Sequence, residues 1–160
     1  MWFEKRPEGF NPQAEVSGVF IQDGPKFLLL QRNFNKPYGE KWALPGGKSN
    51  HGESRTRTAI REVKEETQIT LGDSLTYFNT IYEVYPDGDF IYHIFTARLA
   101  AIQLVTINYN EHSDFAWVTP YQALQKDLIQ DLDDVINMVY PETVEWQNSL
   151  RLHKREEKKK

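Results

Sequence analysis

The sequence predicts an α/β fold in which a mixed β-sheet lies between helices. Two pairs of apolar runs are each joined by a glycine-containing turn signal, a run with helical spacing lies between the pairs, and helix signals follow the last strand. With 160 residues, of which 39% are hydrophobic and 26% charged, the chain is large enough to bury a core and too apolar to be disordered. We expect residues 1–160 to form a single domain.

The predicted elements follow from local signals taken along the chain. Runs rich in β-branched and aromatic residues favour strands, and Asp23-Gly24-Pro25 and Pro86-Asp87-Gly88 are turn signals that favour hairpins. Thr119 directly before Pro120 is typical of a helix start. In order along the chain, we predict an irregular arm at 1–13, strands at 14–21 and 26–32, a polar loop at 33–41 and an extended piece at 42–44. A helix at 53–67 and strands at 75–84, 90–99 and 115–118 follow. The last predicted elements are helices from 120, at 131–139 and at 141–152, and a solvated, disordered tail at 151–160.

Composition and charge exclude several classes of protein. The formal net charge of −4 argues against broad DNA or RNA binding, and the absence of cysteine excludes disulfides, thiol catalysis and zinc-thiolate sites. The chain has no run of about 18 apolar residues, and its first ten residues lack the apolar segment of a secretory signal. We expect a cytoplasmic enzyme with a small-molecule substrate and no membrane partner, and a homodimer is compatible with the sequence.

The acidic run in the predicted helix is the first candidate site. At 100° per residue, Glu62, Glu65 and Glu66 fall on one side of the helix, and an apolar stripe for the core falls on another. The stripe consists of Ile60, Val63 and Thr67. Like charges at this spacing destabilise a helix by a few tenths of a kcal/mol per pair, and carboxylate oxygens are the ligands that Mg²⁺ or Mn²⁺ prefers. The run is therefore either a divalent metal site or a solvated acidic face.

The run GKSNHGESRTRTAIREVKEETQI over residues 47–69 resembles the Nudix box. The residues that match its fixed positions are Gly47, Glu53, Arg61, Glu62, Val63, Glu65, Glu66 and Ile69. Gln68 stands where the family has the glycine that ends the helix, so a left-handed Gln68 would cost roughly 1 kcal/mol or the helix would end differently. Together with the strand-like residues 42–47, the resemblance covers about residues 14–138 and implies the α/β/α sandwich of Nudix hydrolases.

The resemblance implies the hydrolysis of a diphosphate linkage by metal-activated water. It places Glu62, Glu65, Glu66 and the backbone carbonyl of Gly46 beside Mg²⁺ or Mn²⁺, with Glu62 and Glu66 as the main catalytic ligands. Arg61 is expected to orient Glu53 or Glu65 rather than to react. Glu53, near the helix start, is either structural or part of the site.

The general base and the phosphate anchor are less well defined by sequence. Nudix enzymes place the base either in the box or on a loop before the last strand, and in the loop at 108–114 our candidate is Glu111, unless it is merely solvated. We expect His112 to be an exposed, inert loop residue. Arg32, at the end of the second strand, is a candidate phosphate ligand or an ordinary surface arginine.

The substrate class stays open among three alternatives. The leading one is a MutT-like hydrolase of a nucleoside triphosphate or another nucleoside diphosphate derivative. The others are an ADP-ribose or nucleotide-sugar pyrophosphatase and a non-catalytic domain that binds a nucleotide and regulates a partner. The strand aromatics pack in the core or, for one or two of them, stack on a nucleobase. They are Phe78, Tyr82, Tyr85, Tyr92 and Phe95.

Overall fold

A computed structural model describes residues 1–160 and shows eight strands and four α-helices. The strands are β1 (Trp2–Phe3), β2 (Pro12–Asp23), β3 (Lys26–Arg32), β4 (Trp42–Ala43), β5 (Gly46–Lys48), β6 (Thr76–Tyr85), β7 (Gly88–Arg98) and β8 (His112–Val118). The helices are α1 (Arg55–Thr67), α2 (Pro120–Ala123), α3 (Leu132–Val139) and α4 (Val144–Glu157), with a 3₁₀ turn at Pro141–Thr143 before α4. None of these helices is both long enough and apolar enough to cross a membrane.

All eight strands belong to one mixed sheet. Its order is β1-β6-β7-β2-β3-β4, with β5 beside β2 and β8 beside β3. Strands β2 and β7 run parallel, whereas the other strand pairs are antiparallel. The long central strand β2 therefore joins the two predicted hairpins, β2-β3 and β6-β7, in a single sheet.

Both faces of the sheet are covered, as the predicted α/β/α sandwich requires. Successive side chains of a strand point to opposite faces, so Val19 of β2 packs with α1 through Val63, while Phe20 packs on the other face with α3 through Ile136. All four of these side chains are fully buried. The continuous apolar run in β2 thus reflects a strand that is buried on both faces.

Most of the predicted elements are confirmed, and several have different bounds. Strand β3 has the predicted range, and Thr119 caps α2 with Pro120 in its first turn. Helix α1 begins at Arg55, because the side chain of Ser54 accepts a hydrogen bond from the backbone N–H of Arg57 and serves as the N-cap.

Three regions that were predicted to be irregular carry regular structure. Trp2 and Phe3 form β1 against β6, and the Trp2 indole donates a hydrogen bond to Asp134 Oδ2 at 3.0 Å. Strand β8 begins at His112, three residues before its predicted start. The tail predicted to be disordered is helical as far as Glu157, although its side chains are exposed as expected, and Arg151 anchors this helix to Asp133 at 2.7 Å.

Candidate active site

Helix α1 places its acidic residues against the glycine pair of β5. Ala59 and Val63 are fully buried against the sheet, and this fixes the rotation of the helix. Ile60, which was predicted to face the core, is 40% exposed, because the buried stripe runs one residue earlier through Ala59, Val63 and Thr67 at a spacing of four.

Glu62 and Glu66, one turn apart, are the two glutamates that α1 turns inward. Their side chains are 18% and 12% exposed. Glu66 Oε1 accepts a hydrogen bond from the backbone N–H of Gly46 at 3.2 Å. The Glu62 carboxylate lies so close to Gly47 that a Cβ atom on residue 47 would overlap it. The box helix thus lies directly against the glycine pair, and the contact that the structure shows is with the backbone N–H of Gly46.

Glycine is required at the first position of that pair. Gly46 has φ +154°, and a Cβ there would overlap the backbone carbonyl oxygen of Ser17 on β2. Strand β5 pairs with β2 through Gly46 and Gly18, so the backbone of β5 lies between β2 and the carboxylates of α1. The glycine pair therefore lets the backbone of β5 approach the two acids closely.

The Glu62–Glu66 pair is electrostatically strained. Burial, and next the adjacent negative charge of Glu62, raise the pKa of Glu66 well above its ordinary value, although the Gly46 N–H and the charge of Arg32 act in the opposite direction. Two acids held together in a poorly solvated place favour either a bound proton or a bound cation. A divalent cation bound between the two carboxylates would relieve this repulsion.

Arg61 holds the carboxylates of the box in place. Its Nε and Nη2 atoms donate to both oxygens of Glu53 at 2.8 and 2.9 Å, and its Nη1 donates to Glu62 Oε1 at 2.8 Å. These hydrogen bonds from Arg61 lower the pKa of Glu53 to about 2. Glu53 also accepts from the Thr58 hydroxyl and from the backbone N–H of Asn50, so its position is fully determined by structural contacts.

The third predicted metal ligand does not join the pair. Glu65 is 59% exposed and contacts Arg61 Nη1 at 3.2 Å. No group of three or more acidic or histidine side chains converges as a metal cage anywhere in the chain. Two inward carboxylates nevertheless fit Mg²⁺, which binds through one or two carboxylates and otherwise keeps waters and substrate phosphates.

His112 is part of the site, contrary to the expectation of an exposed loop residue. It is the first residue of β8 and is 6% exposed, and its Nε2 lies 3.5 Å from Glu66 Oε2. Its Nδ1 has no hydrogen-bond partner. Burial, and next the charge of Arg32, lower the pKa of His112 to about 4, so the imidazole is neutral at pH 7. Sequence analysis missed it because β8 begins earlier than its apolar pattern indicates.

Arg32 and Glu111 lie at the mouth of the same cavity. Arg32 Nε donates to the backbone carbonyl of Pro37 at 2.7 Å, which orients the guanidinium and leaves its Nη groups available. Glu111 is 51% exposed, and its Oε1 lies 3.2 Å from Lys36 Nζ. Both residues line the cavity with Glu62 and Glu66, so the structure brings the predicted phosphate ligand and the predicted base to the carboxylates.

The cavity has a volume of about 740 Å³ and two chemically different ends. The outer end holds the carboxylates of α1, and the inner end is walled by Tyr85, Phe90 and Tyr92 from the β6-β7 hairpin and by Leu132 of α3. Of the five strand aromatics, Tyr85 and Tyr92 line this inner end. The other three lie elsewhere: Phe95 in the core, Tyr82 against Phe10, and Phe78 at 42% exposure.

Comparison with known proteins identifies the family. The family described as the NUDIX domain matches residues 12–139, which is most of the chain. The protein therefore belongs to the Nudix hydrolase family, whose members generally use a divalent metal ion. The matched range contains strands β2 to β8 and helices α1, α2 and α3.

Individual relatives point in the same direction. The chain is 33% identical over 127 residues to the nucleoside triphosphatase NudI of Escherichia fergusonii, a match that covers 71% of this chain and 86% of the relative. Its fold is similar to that of the MutT protein from Methanosarcina mazei, with a TM-score of 0.71 and 30% identity over 82% of this chain and 96% of the other. The NUDIX domain of Shewanella oneidensis NrtR, solved in complex with ADP ribose, has a TM-score of 0.70 and 25% identity, over 86% and 93% of the two chains.

Proposed function

We propose that this Nudix hydrolase cleaves the diphosphate linkage of a nucleoside triphosphate or of another nucleoside diphosphate derivative, with Mg²⁺ or Mn²⁺ as its cofactor. The observation that carries the proposal is the partly buried Glu62–Glu66 pair, set on Gly46-Gly47 in a cavity of about 740 Å³. A cavity of that size suits a nucleotide. The similarity to a nucleoside triphosphatase over most of both chains supports the same substrate class.

The residues at the outer end have separable roles in this proposal. Glu62, Glu66 and the carbonyl of Gly46 would hold the cation, and Glu65 is available at the rim. A bound divalent cation lowers the pKa of an attacking water and neutralises phosphate charge. Arg61 positions Glu62 through its hydrogen bond of 2.8 Å, and the free Nη groups of Arg32 suit a phosphate oxygen.

Glu111 is the proposed general base. It lies at the cavity mouth, where it would accept the proton of the water that attacks phosphorus, while the phosphate on the other side of the linkage departs. His112 is not assigned this proton, because a pKa of about 4 makes it a weak base and its Nε2 lies 3.5 Å from Glu66 Oε2. We assign His112 to positioning Glu66 instead.

An ADP-ribose or nucleotide-sugar pyrophosphatase is the second candidate. The NrtR domain that binds ADP ribose has a similar fold, and the inner end of the cavity gives room for a second group beyond the diphosphate. A purely regulatory, non-catalytic role is disfavoured because all the glutamates of the box are present.

The test is a screen of diphosphate compounds with Mg²⁺ and with Mn²⁺. Nucleoside triphosphates, ADP-ribose and nucleotide sugars are incubated with the full chain, and orthophosphate, diphosphate and nucleotide products are scored separately. The proposal expects metal-dependent hydrolysis of at least one nucleotide that is abolished by chelation. Tight nucleotide binding without turnover at any metal concentration would overturn it in favour of a regulatory domain.

A further inference from the structure

The inner end of the cavity contains a buried acid that the reaction does not use. Glu83 of β6 is 2% exposed, belongs to the cavity wall, and its Oε2 accepts no hydrogen bond from the protein. Buried acceptors are almost always satisfied, and one that is not costs folding free energy. Because the Glu83 side chain belongs to the cavity wall, a donor on a bound ligand could reach a carboxyl oxygen that the protein does not pair.

Glu83 holds a proton at pH 7, and Asp131 is its acidic neighbour. Burial, and next the neighbouring Asp131, raise the pKa of Glu83 to about 9, so this side chain is a neutral carboxylic acid at pH 7. Burial opposes the ionisation of Asp131, but hydrogen bonds from Glu83 and other donors outweigh it and hold the pKa of Asp131 below its usual value. The proton on Glu83 is suited to a hydrogen bond with Asp131, and the second carboxyl oxygen of Glu83 then remains an acceptor.

The walls around this acceptor are aromatic and fixed. Phe90 lies opposite Glu83 in the register of the β6-β7 hairpin. The Tyr85 hydroxyl donates to the backbone carbonyl of Gln130 at 2.8 Å, and the Tyr85 ring packs edge to face on Phe90 with centroids 5.0 Å apart. Aromatic walls with one polar group are what a flat heterocycle requires, because the rings supply contact area and the polar group selects its edge.

Tyr92 connects the inner end to the outer end. After burial, the charges of Glu83 and Glu66 are the two further influences that raise the pKa of the Tyr92 hydroxyl. The hydroxyl therefore lies within electrostatic reach of both acids. Because Tyr92, Glu66 and Glu83 line the same cavity, a molecule whose diphosphate lies at Glu62 and Glu66 would have Tyr92 and Glu83 as further contact positions.

We propose that Glu83 is the specificity-determining residue for the base of the nucleotide, and that its free oxygen accepts an N–H from a base that carries an amino group. This inference rests on the proposed function and adds the class of substrate. A base with a carbonyl at that edge would place its oxygen next to the Glu83 oxygen, and two acceptors cannot form a hydrogen bond. An amino group at the same edge supplies the missing donor.

The test uses nucleotide pairs that differ at the amino group and two Glu83 variants. The pairs are CTP with UTP and GTP with ITP. Wild type is expected to favour the amino-bearing member of at least one pair by ~10-fold or more in kcat/KM. Glu83→Met removes the acceptor and should bring that ratio to within about threefold, by lowering kcat/KM for the amino-bearing member alone.

Glu83→Gln is the matched control. Its amide N–H can donate to Asp131 and its amide oxygen can face the cavity, so the preference should persist. Thermal unfolding of both variants shows whether each is folded. If Glu83→Met slows all nucleotides equally, or changes none of them, Glu83 only ties β6 to α3 and the inference is wrong. A wild type without any amino preference overturns it as well.

Failure of the proposed function can be told apart from failure of this inference. If wild type hydrolyses no nucleotide, the proposed function fails, and base selection is then measured by the thermal shift that CMP, UMP, GMP and IMP produce. A larger shift with CMP or GMP that disappears in Glu83→Met still supports the role of Glu83. Equal shifts in wild type and Glu83→Met contradict it.

Discussion

The two ends of the cavity each lie beside a pair of acidic side chains, and the charge repulsion within the two pairs is relieved in different ways. At the outer end, Glu62 and Glu66 face the guanidinium groups of Arg61 and Arg32. At the inner end, burial and the nearby Asp131 raise the pKa of Glu83 to about 9 and keep it protonated at pH 7. Burial alone makes both pairs unfavourable as two free charges. The outer pair is suited to binding a cation. The inner pair is suited to binding the uncharged edge of a base by hydrogen bonds.

The two ends also differ in how the chain builds them. The outer pair comes from one helix, and the glycines beneath it lie less than two dozen residues upstream, so a local spacing pattern specifies the arrangement. The inner pair joins the end of β6 to the N-cap of α3, which is far away in sequence. Local geometry therefore encodes the proposed chemistry, and long-range packing encodes the proposed selectivity.

The largest effect is expected at the outer pair. Glu62→Gln and Glu66→Gln should each reduce kcat by at least ~10²-fold under saturating Mg²⁺, because each removes a metal-directed charge at nearly constant shape. The metal-free protein should keep its fold and gain a few tenths of a kcal/mol, since one of two repelling charges is gone. Steady-state kinetics and thermal unfolding measure both quantities.

Arg57→Gln is the matched control for these variants, because Arg57 is exposed on the same helix and its side chain contacts no other residue of the site. Its kcat should equal that of wild type. Near wild-type kcat in both Glu62→Gln and Glu66→Gln would contradict the assignment of these two residues as metal ligands.

The next effect concerns Glu111 at the mouth of the outer end. If Glu111 is the general base, Glu111→Gln should lower kcat by ~10²-fold with little change in KM or metal affinity, and the acidic limb of the pH–rate profile should change. Lys36→Gln removes the partner at 3.2 Å without removing the carboxylate, so it separates the base from its ion pair. A kcat for Glu111→Gln within about threefold of wild type would return the role to the box helix.

The contrast between the ends explains which features the sequence predicts. The i, i+4 spacing of Glu62 and Glu66 and the position of Arg61 are consequences of helix geometry, so the carboxylate pair and its arginine clamp are predictable. The pairing of Glu66 with His112 depends on where β8 begins. The apolar pattern of β8 starts at Phe115, and nothing local shows that His112 is already in register with Arg32.

The inner end and the chain termini could not be predicted for the same physical reason. Glu83 stands between Tyr82 and Val84 in β6, and nothing in that local sequence shows that an acid there is buried. Trp2 and Phe3 form a strand because β6 offers an open edge, and α4 runs to Glu157 with Arg151 held by Asp133. These contacts are all tertiary, and tertiary context overrides local propensity.

A third prediction distinguishes the inner pair by its pH dependence. The pKa of Glu83 is about 9 in the folded protein and near 4.5 when unfolded, so the folded state holds an extra proton between these values. Stability should therefore fall as pH rises across that window, by at most about 1.4 kcal/mol per pH unit from this one group. Glu83→Gln should flatten the slope and be more stable than wild type at pH 8.

Denaturant unfolding between pH 5 and pH 9 measures this difference. The change from wild type to Glu83→Gln isolates Glu83 from Glu66, which contributes a slope of the same sign. Glu145→Gln, at an exposed position of α4, serves as the control for loss of a carboxylate. Parallel pH profiles for wild type and Glu83→Gln would show that Glu83 ionises normally and that the inner end is not a neutral site.

The smallest effect is expected at Gln68, where α1 ends next to the outer pair. Gln68 has φ +64° and ψ +8°, the left-handed conformation that the family's glycine adopts, so the substitution did not change how the helix ends. Its backbone N–H donates to the Lys64 carbonyl at 3.0 Å, and its side-chain amide donates to the same oxygen at 3.1 Å. Gln68→Gly keeps the first contact and relieves the strain, which should raise the free energy of unfolding by up to ~1 kcal/mol.

The control is Gln68→Ala, which keeps the strain and loses the amide contact, so it should be no more stable than wild type. Activity should change little in either variant. The position of Glu66 depends on the packing of α1 through Val63 and on the hydrogen bond from the Gly46 N–H, and not on the helix cap. A clear loss of stability in Gln68→Gly would mean that the exposed amide contact outweighs the backbone strain.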